Sequence, residues 1–422
     1  DPPKHFDPSD SRMSQESQVR RFGNQPPSEE TEYTFSFSHL TPSLPFFIIE
    51  NDGNLTRHFF CMDKESTYHF ALAHLPSFGQ ARLSSLLSVF PSAESLWSAT
   101  SSDFRERNVP SKLAERFFAE RNGVDLTESL SYCNKLGIQF VHRGQPEYPE
   151  LLKQIPDAPI GIFYLGTLPT LEYRIAVVGT RRPSQYGLQV TRSVVHAIAE
   201  RNIVIISGLA MGIDGTAHRE TLRAGGITVA VIASGLDSVY PRFHTGLVKE
   251  VVKSGGAIIS EFPPGTEALR HHFPMRNRII AGLAHGVLVT EAPVNSGALL
   301  TATLGLEYNR DIFAVPGPVT METCAGTNNL IRSGANLVAS AQDILTFYHL
   351  ATEKETMQEL PFDQLTTTEQ QVLKSMSREP TTVDQLTQLC TLESSVVSAT
   401  LTLLQMKRLI ESTDPLHFVR IR

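Results

Sequence analysis

From Arg270 the chain reads Arg270-His271-His272-Phe273-Pro274-Met275-Arg276-Asn277-Arg278, with three arginines, two histidines, one phenylalanine and no acid. Guanidinium groups suit phosphate because their donors are planar, fixed and able to hold two oxygens at once. An aromatic ring among them offers a platform on which a base can stack, and only an unpaired base can reach it. Cation plus aromatic therefore points to a single strand rather than a duplex. The structural alternative is that Arg276 and Arg278 form ion pairs with Glu261 or Glu291, with Phe273 in the core. A second stretch carries related chemistry. Ile175-Ala176-Val177-Val178 breaks into Gly179-Thr180-Arg181-Arg182-Pro183, and Ile203-Val204-Ile205-Ile206 breaks into Ser207-Gly208-Leu209-Ala210-Met211-Gly212. Glycine in such turns lets backbone N–H groups approach an anion, and the next helix N-terminus adds a favourable dipole. With two arginines in the first turn, a phosphate-bearing ligand is the inference.

These residues need a scaffold that brings them to one edge. Leu188, Thr191, Val195 and Ile198 mark one face of a helix between the two apolar runs, so the stretch Ile175 to His218 reads as a parallel βαβ unit. Further short apolar runs follow at Thr228–Ala233, Ala257–Ser260, Gly286–Thr290 and Asp311–Val315, separated by helical stretches. Such alternation predicts an α/β fold with a doubly wound parallel sheet, whose ligands bind at the carboxyl ends of the strands. The turns there are rich in small residues: Ser234-Gly235, Ser260, Ser296-Gly297 and Gly317. One edge of the sheet is thus suited to a long groove.

The rest of the chain divides around this unit. Residues 1–61 are rich in Pro, Ser, Glu and Gln without a sustained period and read as a disordered leader, broken only by the apolar burst Pro45–Ile49. The functional protein is expected to start near Met62. Residues 62–145 pattern as short helices, Tyr68–Leu75, Gln80–Phe90, Ala93–Trp97, Ser111–Arg121 and Leu126–Leu136, with a possible strand at Ile138–Val141. The hairpin Leu75-Pro76-Ser77-Phe78-Gly79 resembles that of a SAM-like or helix-hairpin-helix module. Because it is not basic, packing or protein contact is the favoured role. The sheet domain is expected over 146–345, with 146–170 a proline-broken connector. Residues 346–362 read as a charged linker. Residues 363–422 read as a winged helix: Thr366 and Glu369 form a capping-box signal, helices follow at Thr382–Leu389 and Ser395–Lys407, and two strands flank Asp414-Pro415. No charged residue lies between Ser394 and Met406, so protein contact or weak duplex binding is expected of that helix.

Composition bounds the function. A net charge of −7 argues against coating nucleic acid with the whole surface, so a polyanion site must be a local basic patch. The four cysteines form no CxxC pair, which suggests neither zinc nor a disulfide framework. No apolar run is long enough to span a membrane, and a cytoplasmic, reducing location fits.

The motifs Gly179-Thr180-Arg181, Ser207-Gly208-Leu209-Ala210-Met211-Gly212-Ile213-Asp214, Phe273 through Leu283, Glu291-Ala292, Ser296 through Ala302, Val315-Pro316-Gly317 and Gly326 through Ile331, in this order, resemble the DNA-processing protein A (DprA, also called Smf) family. The resemblance covers about Met62 to the C-terminus. It implies an extended Rossmann-like domain that binds single-stranded DNA, forms a homodimer and loads the RecA recombinase during natural transformation. A small N-terminal helical domain and a C-terminal winged helix accompany that domain in many members. Carried over by motif, Arg181 and Arg270 would contact phosphate, Phe273 would stack on a base, and Arg276, Asn277 and Arg278 would finish the pocket. Gly179, Thr180, Ser207, Gly208, Gly212, Ser296 and Gly297 would supply backbone approach and hydroxyl contacts. Leu330, Ile331 and Leu337 would mark the dimer surface.

Rival readings leave traces of their own. Gly208-x-x-x-Gly212-x-x-Gly215 is not a dinucleotide fingerprint, and no GxxxxGK[ST] loop is present, so neither a nicotinamide cofactor nor an ATP-driven motor is expected. Asp214 and His218 stand at i, i+4 and could form an acid–base couple, although a helix-face interaction is the commoner role of such a pair. Adjacent His271 and His272 cannot easily face one metal, and no cofactor is expected. The competing enzyme is a Rossmann-like phosphoribohydrolase with Glu261 or Glu291 as its acid. A pure interaction scaffold is the third possibility.

Overall fold

The computed structural model describes residues 62–75, 78–350, 365–377, 379–407, 409–412 and 417–420. The expected leader at 1–61, the hairpin residues Pro76 and Ser77, the linker from 351 onward and the wing turn Asp414-Pro415 lie outside the described residues.

The sheet is built from β1 (Gln139–His142), β2 (Gly161–Gly166), β3 (Arg174–Val178), β4 (Val204–Ser207), β5 (Thr228–Val231), β6 (Ala257–Ser260), β7 (Gly286–Val289), β8 (Asp311–Ala314) and β9 (Asn336–Leu337). Their spatial order is β1-β2-β6-β5-β4-β3-β7-β8-β9. From β6 to β9 every pairing is parallel. All six apolar runs singled out in the sequence are strands of this parallel portion. Their near-continuous β-branched character follows from burial on both faces. Ile175, Val177 and Ile205 pack under Val194, Val195 and Ile198 of the helix Gln185–Ala199. Ala176, Val178 and Ile206 point the other way, onto Ile279 and Ile280 of the helix His272–Gly282. The period-two alternation of each strand thus feeds two helical layers.

Two elements differ from the sequence expectation. Gly161–Gly166, expected as connector, is a strand, paired antiparallel with both β1 and β6. The sheet accordingly begins at Gln139, ahead of the expected boundary at 146. The prolines around this segment mask its alternation, and Gly161 is needed because a Cβ there would lie 2.2 Å from the Phe140 ring. The helix Ser101–Glu106 was also unforeseen. Its signal is a capping box, Thr100 with Asp103 three residues on.

The helices between Lys64 and Leu136 enclose a core of their own, with Leu72, Leu83, Phe104 and Phe117 fully buried. The C-terminal domain has helices Thr367–Ser375, Val383–Cys390 and Ser394–Met406 around Val372, Leu373, Leu386, Val397 and Leu404. Its strands β10 (Thr381–Thr382), β11 (Ile410–Ser412) and β12 (His417–Arg420) form an antiparallel sheet in the order β10-β12-β11. The capping box of Thr366 and Glu369 is formed, and Lys407 Nζ lies 2.7 Å from the same carboxylate. Among the described residues no helix is long and apolar enough to cross a membrane.

Candidate nucleic-acid interface

Strand order reverses between β3 and β7, and the crevice at their carboxyl ends is where such sheets bind ligands. The turn after β3 is clamped there. Thr180 donates its N–H to Glu291 O at 2.7 Å, and Thr180 O accepts from Ile213 N at 3.2 Å. Gly212 has φ +78°, and a Cβ on it would stand 2.4 Å from Thr180 O. Only glycine lets the turns after β3 and β4 approach this closely. Arg181 is left on the rim, exposed, with its Cζ 5.1 Å from the centroid of the Phe273 ring. Residues far apart in the chain are thus brought into contact.

Phe273 comes from the first turn of the helix His272–Gly282, which closes one side of the crevice. One flank of this helix, with Arg276, Ile279 and Ile280, is buried. Phe273 and Asn277, one turn apart, are half-buried on the neighbouring flank. Asn277 Nδ2 donates to Gly297 O at 3.3 Å, tying the helix to the turn that Ser296 caps. Arg270, three residues before Phe273, is exposed.

Arg276 and Arg278 stand elsewhere than in the pocket that the family resemblance implies. Arg276 is only 3% exposed and donates Nη1 to the carbonyl oxygens of Gly208 and Val231. Burial pushes its pKa down to about 10, although Asp214 beside it acts in the other direction. Arg278 pairs with the buried Glu261 and donates to Asp157 O at 2.8 Å. The structural alternative therefore describes Arg278, with Glu261 as partner. Glu291 instead braces a helix start: it is fully buried, and its Oε2 accepts the N–H of Ser184 at 2.9 Å. The physical reason is the helix phase, which turns both arginines toward the protein while Phe273 stays at the rim.

Ser207 and Gly208 also serve the fold. Ser207 is fully buried and donates Oγ to Val177 O at 2.7 Å. A Cβ on Gly208 would lie 2.2 Å from Arg276 Nη1 and 2.6 Å from Asp214 Oδ2. Its glycine makes room for those side chains, where the sequence reading had assigned it to a ligand. Gly179 is similar, since its Cβ would meet Ile213 and Glu291 O.

Asp214 and His218 do not form a couple. Asp214 Oδ2 accepts from Gly208 N at 3.1 Å and Ala210 N at 3.4 Å, bracing the turn. Burial raises the Asp214 pKa, opposed by Arg276. His218 Nδ1 lies 2.7 Å from Thr228 Oγ1, whose own proton goes to Ile205 O. Burial drives the His218 pKa down to about 3, and His244, Arg276 and Arg219 add to the shift. His272 stacks on Phe262 at 4.1 Å, and no group of three or more potential metal ligands occurs among the described residues. The dimer candidates fall at the far edge of the sheet. Leu330 and Ile331 are half-buried, and Leu337 is 49% exposed on the edge strand β9.

The sequence reading missed Tyr240. Its ring stands 5.8 Å from that of Phe273, nearly perpendicular, and is 51% exposed. A signal was present: Tyr240-Pro241-Arg242-Phe243 places two aromatics and a cation in a loop beyond the carboxyl end of β5.

A family model described as DNA recombination-mediator protein A matches residues 139–349, and one described as the DprA winged helix domain matches 358–414. Protein Smf of Synechocystis is 32% identical over 397 residues, covering 85% of this chain and 99% of the relative. DNA processing protein DprA of Streptococcus pneumoniae is 44% identical over 199 residues, covering 47% of this chain and 70% of the relative. The X-ray structure of DprA from Streptococcus pneumoniae superposes with a TM-score of 0.58 at 35% identity, covering 66% of this chain and 97% of that one. With the Rossmann-like sheet and the winged helix both in place, the chain belongs to the DNA-processing protein A (DprA/Smf) family.

Proposed function

We propose that this chain binds single-stranded DNA across the carboxyl rim of its sheet and mediates recombination there. Arg181 and Arg270 hold phosphates, Phe273 stacks on a base, and Asn277 lines the adjoining turn with Gly297. Arg276 and Arg278 position the helix that carries Phe273. The observation that supports this most is the contact of an exposed arginine with a half-buried ring, Arg181 on Phe273 at 5.1 Å. A cation and a π face held together suit the backbone and the base of one unpaired nucleotide. Loading of a RecA-type recombinase onto that strand during natural transformation is the corresponding role, and a homodimer through Leu330, Ile331 and Leu337 would bring two such rims into one particle. A reducing cytoplasm suits the free, buried Cys133, Cys324 and Cys390.

The test is fluorescence anisotropy with a labelled oligothymidylate. Arg181→Ala should lose roughly 10-fold or more in affinity, as for one charge-assisted contact. It should also flatten the dependence of log affinity on log salt by about 0.7. An unaltered affinity and slope, with the unfolding midpoint unchanged, would reject the rim as the binding site.

A further inference from the structure

The geometry points to a second stacking platform: Tyr240 and Phe243 extend the single-strand track beyond Phe273, so that the rim holds consecutive unpaired bases rather than one. This deepens the single-strand reading and rests on it. Among the described residues, Phe243 at 64% and Tyr240 at 51% are the most exposed aromatic rings. A single exposed apolar side chain is ordinary, but these two share one loop, and that loop abuts the proposed stacking residue. Tyr240 sits 5.8 Å from Phe273 with the rings at 73°, too close and too steep to sandwich a base between them. It instead continues the aromatic surface sideways from Phe273.

The loop is built to hold these rings in place. Its next residue, His244, is 1% exposed and has its Nδ1 2.8 Å from Leu209 O, in the turn after β4. Gly215 makes way for that imidazole, since a Cβ there would be 2.8 Å from Cε1. Thr245 Oγ1 donates to Arg242 O at 2.6 Å, and Ser234 Oγ donates to Ser238 O at 2.6 Å. Tyr240 and Phe243 therefore project from a backbone fastened on both sides. Little ordering entropy remains to be lost when a base settles on them. Charge agrees with this role. Arg242, exposed, stands between the two aromatics in the chain, and no acid occurs from Tyr240 to Val248. A surface of π faces with an intervening guanidinium suits a polynucleotide of any sequence, because every base has a face to stack.

The experiment uses the full chain, with Tyr240→Ala, Phe243→Ala and the double variant, against oligothymidylates from about 4 to about 16 nucleotides. The expected result is a length-dependent loss. Affinity for the shortest strand changes less than about 2-fold, while the longer strands lose roughly 5-fold or more per ring. The salt slope stays constant, since no phosphate contact is removed. Tyr240→Phe should restore the affinity that Tyr240→Ala loses. Unchanged binding at every length, as a protein-docking role for this loop would give, overturns the proposal, and so does a loss that is equal for short and long strands. Arg181→Ala and Phe273→Ala run alongside. If neither weakens binding, the single-strand reading itself fails; if both do and the loop variants do not, only the second platform fails.

Discussion

Arg181 and Arg278 carry the same side chain and end in opposite circumstances. Arg181 stands on the rim, exposed, over a ring. Arg278 belongs to the same helix as that ring but points into the protein, 7% exposed, paired with Glu261 and bonded to Asp157 O. Arg276, two residues earlier, is buried against the carbonyls of Gly208 and Val231. The rim arginine has charge to give a ligand. The two beneath use theirs to hold the crevice in shape. A basic stretch in an α/β protein can thus be half interface and half foundation, and the residue types do not say which half is which.

That contrast can be broken most forcefully at the foundation. Arg278→Ala leaves the Glu261 carboxylate buried without its partner, and breaking such a pair costs about 3–5 kcal/mol. The pKa of Glu261 is already raised by burial despite Arg278. The variant should show a large drop in the urea unfolding midpoint. Replacing both members, Arg278→Met with Glu261→Leu, should recover most of the loss, because removing a buried pair together is often near neutral. If Arg278→Ala is as stable as the parent and loses only DNA affinity, Arg278 belongs to the rim and the division between rim and foundation is wrong.

The rim gives a smaller effect of the opposite kind. Phe273→Ala removes the ring that Arg181 covers, and one base–aromatic stack is worth about 1–3 kcal/mol. Single-strand affinity should fall accordingly, and stability should fall less than in Arg278→Ala because Phe273 is only half-buried. Equilibrium titration and urea unfolding on the same preparation separate the two quantities. Equal losses in both would merge rim and foundation into one structural unit.

Much of this arrangement was readable in the residues. Six of the seven strands in the parallel portion announced themselves as short β-branched runs, because a strand buried on both faces needs no alternation. The glycine turns marked the carboxyl ends, and Arg181 followed from its place in the first turn. The antiparallel strand Gly161–Gly166 was hidden because prolines on its N-terminal side suggested irregular chain. The fates of Arg276 and Arg278 were hidden for a different reason. They depend on the rotational phase of one helix against the sheet, and the buried residues on both sides of the helix's charged stretch leave that phase ambiguous. Tyr240 was missed because a loop residue has no periodicity to reveal which neighbour it meets.

The foundation also predicts a pH response that the rim does not share. The Thr228 hydroxyl gives its proton to Ile205 O, so it accepts the Nδ1 proton of His218 and leaves Nε2 as a buried acceptor. Protonating Nε2 would put a cation among His244, Arg276 and Arg219 without a new partner, and burial with those neighbours lowers the pKa to about 3. An unfolded histidine titrates near ~6.5. Between those two values the unfolded chain binds the extra proton. Stability is therefore complete above about pH 6.5 and falls as the pH drops toward 3, by up to about 1.4 kcal/mol per pH unit for this one group. The buried His142, pushed to about 4 by burial and then by His69, adds a slope of the same sign. His218→Asn should flatten the urea midpoint against pH between about 6.5 and 5, where few carboxylates titrate. An unchanged slope would mean that the imidazole takes up its proton in the folded chain as readily as in the unfolded one, and that the floor beneath Arg276 is wetter than its hydrogen bonds imply.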